Sequence, residues 1–237
     1  MKLSAPVYKL KSQARVLAKA QNIPLSDALD TIAAQEGFKT WSLLSARLNA
    51  SNTSAEVLSQ VSPGELLLIG ARPGQGKTTM ALQLVLRAAL SGKTGWFFSL
   101  EWNLSDIHYR TRKTGINISQ LGNRFQFDNS DDISAKYIIS RIGSSLPGTV
   151  VAIDYLQLLD QDRHKPDVST QIGLIKEYAK RRGIIFILIS QIDRSYDLMD
   201  QQYPGIENIR LPNPLNLKLF DKACFISSGE TTVTSIA

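Results

Sequence analysis

Short, nearly uninterrupted apolar runs recur along the chain: Leu66–Ile69, Thr94–Leu100, Thr149–Ile153, Ile184–Ser190 and the ACFI of a further strand predicted over Phe220–Ser227. Each is strand length, and each lacks the polar alternation of a half-exposed strand, as expected where a parallel sheet is covered on both faces. The intervening segments carry apolar residues at helical spacing instead. Ala81, Leu82, Val85, Leu86 and Ala89 predict one helix, ending at Ser91-Gly92. Further helices are predicted over 103–115, about 131–143 and 168–182, where Ile172, Ile175 and Ala179 face inward and Gly183 ends the run. Phe125–Asp128 reads as a short additional strand. Strand and helix in alternation define an α/β domain.

Residues 1–50 follow a different pattern. Val7, Leu10, Ala14 and Leu17 predict a helix, Asn22-Ile23-Pro24 breaks it, and Ser26 can cap a second helix carrying Leu29, Ile32 and Ala33. Gly37 ends that one, and Thr40 can cap a third with Trp41, Leu44 and Leu48 on one face. Residues 51–60 are small and polar and read as a linker, leaving 61–237 as the α/β domain. The helical module has seven Lys and Arg against three Asp and Glu, a net +4. Two readings stand: a module that binds DNA or a partner, and an appendage that packs on its own domain or a neighbouring subunit. The second is preferred, because no recognition element is evident in three short helices. Residues 194–216, without periodicity and with three prolines, read as an exposed loop.

The stretch LLLIGARPGQGKTT, Leu66 to Thr79, joins a strand to a helix through a glycine-rich turn, the form of a phosphate-binding P-loop. Gly74 and Gly76 let successive backbone N–H groups turn inward on a phosphate, and the helix N-terminus adds partial positive charge. The expected nucleotide cradle is Ala71, Arg72, Pro73, Gly74, Gln75, Gly76, Lys77, Thr78 and Thr79. Lys77 would reach the β- and γ-phosphates and the Thr78 hydroxyl would hold Mg²⁺. Ala71 stands where the usual pattern has its first glycine.

The other strand ends supply the remaining chemistry. Thr94–Leu100 delivers Glu101 to the rim where ligands of such sheets bind. There it can orient the water that attacks a γ-phosphate, or be a solvated loop residue, and position alone leaves both open. Thr149–Ile153 leads to Asp154, presented as a Walker B aspartate is to the shell of Mg²⁺. Ile184–Ser190 ends in Gln191, which can sense the γ-phosphate by hydrogen bonding or merely cap the strand.

Composition adds little to this. A net charge of +6 suits, without requiring, a nucleic-acid partner. The single cysteine, Cys224, sits in an apolar run and reads as a reduced core residue of a cytoplasmic protein. No stretch approaches the ~18 apolar residues of a membrane span, and no apolar signal core follows the N-terminal lysines.

Taken together, ARPGQGKTT, FFSLEW, IDYLQLL and LISQIDR occur in the order and character of motifs in the DnaB-type replicative helicases, a branch of the RecA-like ATPases. The chain resembles that family over roughly residues 60–227, with Trp102 where methionine is usual. The resemblance implies a RecA-like core with a central, mostly parallel sheet flanked by helices, ATP and Mg²⁺ as cofactors, a homo-oligomer, and DNA, single-stranded rather than duplex, as partner. It carries over Lys77, Thr78, Glu101, Asp154 and Gln191, with Glu101 as the catalytic base. It also marks departures: the short module at 1–50 replaces the family's N-terminal scaffold, and GETTVTSIA carries no Lys-x-Arg pair reaching toward a neighbour's ATP. An arginine finger raises hydrolysis by ~10³ to 10⁵, so slow turnover is the expectation without one. The rival reading is a nucleotide-gated module that binds DNA or protein and scarcely hydrolyses ATP; a third is a regulatory oligomer with a protein partner.

Overall fold

The computed structural model describes residues 4–5, 7–48, 54–113, 116–154, 156, 166–193, 204–210, 215–227 and 230–236. They form two compact units, divided between residues 52 and 53. Among the described residues no helix is long and apolar enough to cross a membrane.

The first unit holds helices α1 (Val7–Gln21), α2 (Leu25–Gln35) and α3 (Trp41–Leu48). Leu10 and Ala14 of α1 meet Ala28 and Ile32 of α2 in a small core, with Leu17, Ile23 and Trp41 against it. Asn22, at φ 51, turns the chain between α1 and α2. The expected Ser26 cap is not formed: Pro24 occupies the cap position with φ −54, a value the ring fixes, and the Ser26 hydroxyl donates instead to Asp27 Oδ1 at 3.0 Å. Thr40 does cap α3, its Oγ1 accepting from Leu43 N–H at 3.3 Å.

The second unit is built on a sheet of strands β1 (Leu66–Ala71), β2 (Gly95–Ser99), β3 (Phe125–Asp128), β4 (Val150–Asp154), β5 (Ile185–Gln191), β6 (Lys222–Ser227) and β7 (Glu230–Ser235). Their order is β3-β2-β4-β5-β1-β6-β7, and only the β6–β7 pair is antiparallel. Helices α4 (Ser54–Ser59), α5 (Lys77–Leu90), α6 (Leu104–Lys113), α7 (Ala135–Arg141) and α8 (Val168–Arg182) complete the unit. The apolar runs are continuous because successive residues serve opposite faces. Leu66 and Leu68 join the core shared with α7 and α8, whereas Leu67, Ile69 and Ala71 join the core shared with α5. Phe186 and Leu188 of β5 divide from Ile185, Ile187 and Ile189 in the same way.

Three stretches differ from the sequence reading. Within the expected linker, Ser54–Ser59 is a helix, because Val57 is buried in the α5-side core and the Ser54 hydroxyl accepts from Arg87 Nε at 2.6 Å. Of the expected exposed loop, residues 194–203 and 211–214 lie outside the described residues, but Asn208, Ile209 and Leu215 are buried and Ile209 bridges to Ile192. Gly70 makes room for this: a Cβ there would lie 2.8 Å from Ile209 Cδ1. The terminal GETTVTSIA supplies β7, whose β-branched residues suit an edge strand with Val233 against the core.

Helix α5 rests directly on β2 at Gly95, where an added Cβ would come within 2.4 Å of the Val85 carbonyl oxygen. Gly95→Ala is therefore expected to destabilise the fold by about 3 kcal/mol, read as a lower urea midpoint of unfolding, since the backbone of a packed helix must shift. A midpoint equal to wild type would show that α5 does not depend on this contact. Cys224 is buried, and burial alone pushes its thiol up to about 12, so it behaves as a core residue.

Candidate functional site

The carboxyl ends of β1, β2, β4 and β5 meet at one rim. Beyond Ala71 the chain turns through Arg72–Gly76, with Gln75 N–H donating to the Arg72 carbonyl at 3.2 Å. Gly74 and Gly76 have φ of 78° and 90°, in the left-handed region that side chains disfavour. Gly76 is also the N-cap of α5, so no side chain caps that helix and its first turn carries no acidic residue. Its leading N–H groups are left to an anion. Arg72 Nη1 donates to the Ile192 carbonyl at 3.2 Å and ties the loop to the end of β5.

Lys77 and Thr78 open α5, the first half-buried and the second buried. The Thr78 hydroxyl donates to Asp154 Oδ1 at 3.4 Å. Asp154 ends β4 and is fully buried, beside Ser99 in the β2–β4 register. Its other oxygen, Oδ2, accepts from the Ser99 hydroxyl at 3.4 Å. Burial pushes the Asp154 carboxyl up to about 7 and the Glu101 carboxylate pushes the same way, against Lys77 and the hydroxyls of Thr78 and Ser99. A buried carboxylate this costly to ionise, beside a threonine hydroxyl, is a hard-oxygen donor pair suited to Mg²⁺. Among the described residues no group of three or more His, Cys, Asp or Glu could cage a metal, so a cation here would draw its remaining ligands from phosphate and water.

Glu101 is exposed just past β2 and close enough to act electrostatically on Asp154. Gln191 ends β5, half-buried and paired in register with Ala71, and its carbonyl accepts from Arg210 N–H at 2.7 Å. The fold thus gathers Lys77, Thr78, Glu101 and Asp154, with Gln191 on the adjoining strand. Thr79 is half-buried behind the loop, while Pro73 and Gln75 are exposed on it. Tyr155, residues 157–160 and Arg194 lie outside the described residues. A further rim carboxylate, Asp128 at the end of β3, is already engaged by Tyr137 Oη and Arg141 Nε, each at 3.0 Å. The residue that sequence reasoning passed over is Ser99; its signal was a lone polar residue inside the apolar run TGWFFSL.

This sheet order and this loop define a RecA-like P-loop ATPase domain. The chain belongs to the KaiC family of ATPases, whose profile, described as "ATPase: KaiC", matches residues 60–210. It is similar to the replicative DNA helicase DnaB of Buchnera aphidicola subsp. Schizaphis graminum, 28% identical over 185 residues, covering 64% of this chain and 40% of that protein. DnaB of Helicobacter pylori strain 26695 is 27% identical, over 62% of this chain and 36% of its own. The DNA repair protein RadA of Escherichia coli K12 is 25% identical, over 58% and 30%. The chain thus spans about two fifths or less of these relatives. Among solved structures, a DnaB-like replicative helicase studied with primase superposes with a TM-score of 0.59 at 15% identity, covering 97% of this chain and 73% of that one. A KaiC-like protein of the hyperthermophilic archaeon Pyrococcus horikoshii gives 0.52 at 16% identity, covering 68% of this chain and 70% of that one. These two share the fold.

Proposed function

We propose that the second unit binds Mg²⁺-ATP at this rim, hydrolyses it to ADP and phosphate, and serves DNA metabolism as a DNA-stimulated ATPase in the cytoplasm. The observation that carries the reading is the convergence of the Thr78 hydroxyl and the buried Asp154 carboxylate, 3.4 Å apart beneath the phosphate loop. The loop N–H groups and Lys77 hold the β- and γ-phosphates, and Gln191 hydrogen-bonds the γ-phosphate from the next strand. Thr78 and Asp154 would hold Mg²⁺, which would neutralise phosphate charge. Glu101 accepts a proton from water as its oxygen forms a bond to the γ-phosphorus. The bond from that phosphorus to the β-phosphate oxygen breaks, and ADP leaves with the electron pair. The DnaB and RadA relatives and the +6 net charge support DNA as the partner; a preference for single strands over duplex and a homo-oligomeric working form are further parts of the proposal.

The test is steady-state ATP hydrolysis without DNA, with single-stranded DNA and with duplex, at fixed low and moderate salt, because charge-driven binding falls steeply with salt. Stimulation by single strands is expected. ATP binding with no turnover under any condition would sink the hydrolase reading in favour of a nucleotide-gated module. Lys77→Ala removes the charge on the phosphates and is expected to weaken ATP binding about 100-fold or more, measured by titration with a fluorescent nucleotide. Unchanged affinity would place the phosphates elsewhere.

A further inference from the structure

Ser99 uses its hydrogen-bonding capacity in full, at a point no solvent reaches. A hydroxyl has one proton to give and two lone pairs to receive. The proton goes to Asp154 Oδ2 at 3.4 Å. The oxygen accepts from the backbone N–H of Glu101 at 3.1 Å and from that of Trp102 at 3.3 Å. Ser99 and Asp154 are both fully buried, so loss of the hydroxyl leaves Asp154 Oδ2 without this donor at a point solvent does not reach, and frees the two amides from the strand end.

The same loop is held a second time by its next side chain. The Trp102 ring stacks on Phe97 with centroids 5.9 Å apart, and the Arg110 guanidinium lies 4.0 Å from its centroid. Trp102 is thereby fixed between Phe97 of β2 and Arg110 of α6, and Glu101 sits between this anchor and Ser99. The carboxylate of Asp154 is in turn shared, one oxygen with Thr78 and the other with Ser99. A continuous line of contacts runs from the phosphate loop through Thr78, Asp154 and Ser99 to the backbone of Glu101.

We infer that Ser99 is a positioning residue for hydrolysis: its hydroxyl fastens the Glu101–Trp102 backbone to the metal-holding aspartate and sets where the Glu101 carboxylate stands relative to the γ-phosphate. The inference rests on the proposed roles of Glu101 and Asp154. It separates placement of the base from binding of the nucleotide, because the hydrogen bonds of the Ser99 hydroxyl go to Asp154, Glu101 and Trp102 and not to the phosphate loop.

Ser99→Ala, compared with wild type, Glu101→Gln and the double variant, tests it. The expected result is a fall in kcat of roughly 10- to 100-fold, the cost of a base displaced by about 1 Å, with the Mg²⁺-ATP dissociation constant within about threefold of wild type. In the Glu101→Gln background the same substitution should cost nothing further, because a residue acting through the base has nothing left to position. Amide exchange followed by mass spectrometry should show peptides spanning 100–103 losing protection in Ser99→Ala while the β4 and β5 peptides keep theirs. Wild-type kcat, a loss that adds to that of Glu101→Gln, or unaltered exchange at 100–103 would each overturn the inference. If Glu101→Gln hydrolyses normally, or the wild type does not hydrolyse at all, the base assignment fails instead. Faster exchange at 100–103 would then still support the tether, and unchanged exchange would overturn it as well.

Discussion

Glu101→Gln is expected to bind Mg²⁺-ATP at least as tightly as wild type and to lose turnover by about 10² to 10⁴, the contribution of a positioned general base. The amide keeps the size and hydrogen-bonding reach of the side chain but cannot take the proton from water. Binding is preserved because Glu101 is outside the phosphate loop. It is even favoured, since the negative charge of Glu101 is one of the influences opposing ionisation of Asp154, and the substitution removes it. Single-turnover hydrolysis and equilibrium titration, run on the same preparations, separate the two effects. A variant that hydrolyses at the wild-type rate would remove Glu101 from the chemistry, and one that fails to bind would make it part of the cradle.

Asp154→Asn should move stability and activity in opposite directions. In the unfolded chain this carboxyl ionises near 3.8, whereas in the fold it holds its proton up to about 7. Between those values the folded state carries a proton that the unfolded state has released. Raising pH through this window therefore costs the wild type stability, with the full cost reached above about 7. Roughly three pKa units correspond to about 4 kcal/mol at most. Asparagine does not titrate, so the variant's advantage should be near zero at pH 4, grow through pH 5 and 6, and level off by pH 8. Urea midpoints without nucleotide or metal, taken across that range, would show it; a pH-independent difference would contradict the burial argument. The same variant should lose Mg²⁺-dependent hydrolysis, as expected where a buried carboxylate that is costly to ionise is retained for function at the expense of the fold.

How much of this was legible beforehand depended on how local the governing physics is. The phosphate loop, the four strands that feed the rim and helix α8 could be read because each is specified by its own residues: continuous apolar runs, glycines at the turn, and Gly183 in a left-handed cap at φ 64. The stretch Ser54–Ser59 could not, because a single buried valine turns a polar stretch into a helix only once α5 is beside it. Likewise Ile209 looked like part of an irregular loop until the space above Gly70 was visible. The candidate chemistry divides in the same manner. Lys77, Thr78, Asp154 and Glu101 are announced by strand ends and spacing, whereas Ser99 matters through two backbone amides and a carboxylate that is 55 residues away.

At the end of the sheet opposite the rim, Asp221 Oδ2 accepts from Leu66 N–H at 2.7 Å and pairs with Lys176, while Glu65 pairs with Lys222 at 2.6 Å. These ionic contacts pin the first residues of β1, which has β5 on one side and β6 on the other along its length. A pull on the phosphate loop along the strand axis is thus resisted by both parallel ladders at once, in shear, with a clamped root. A displacement of the loop along that axis would therefore carry β1 together with its two neighbours, not slide it between them.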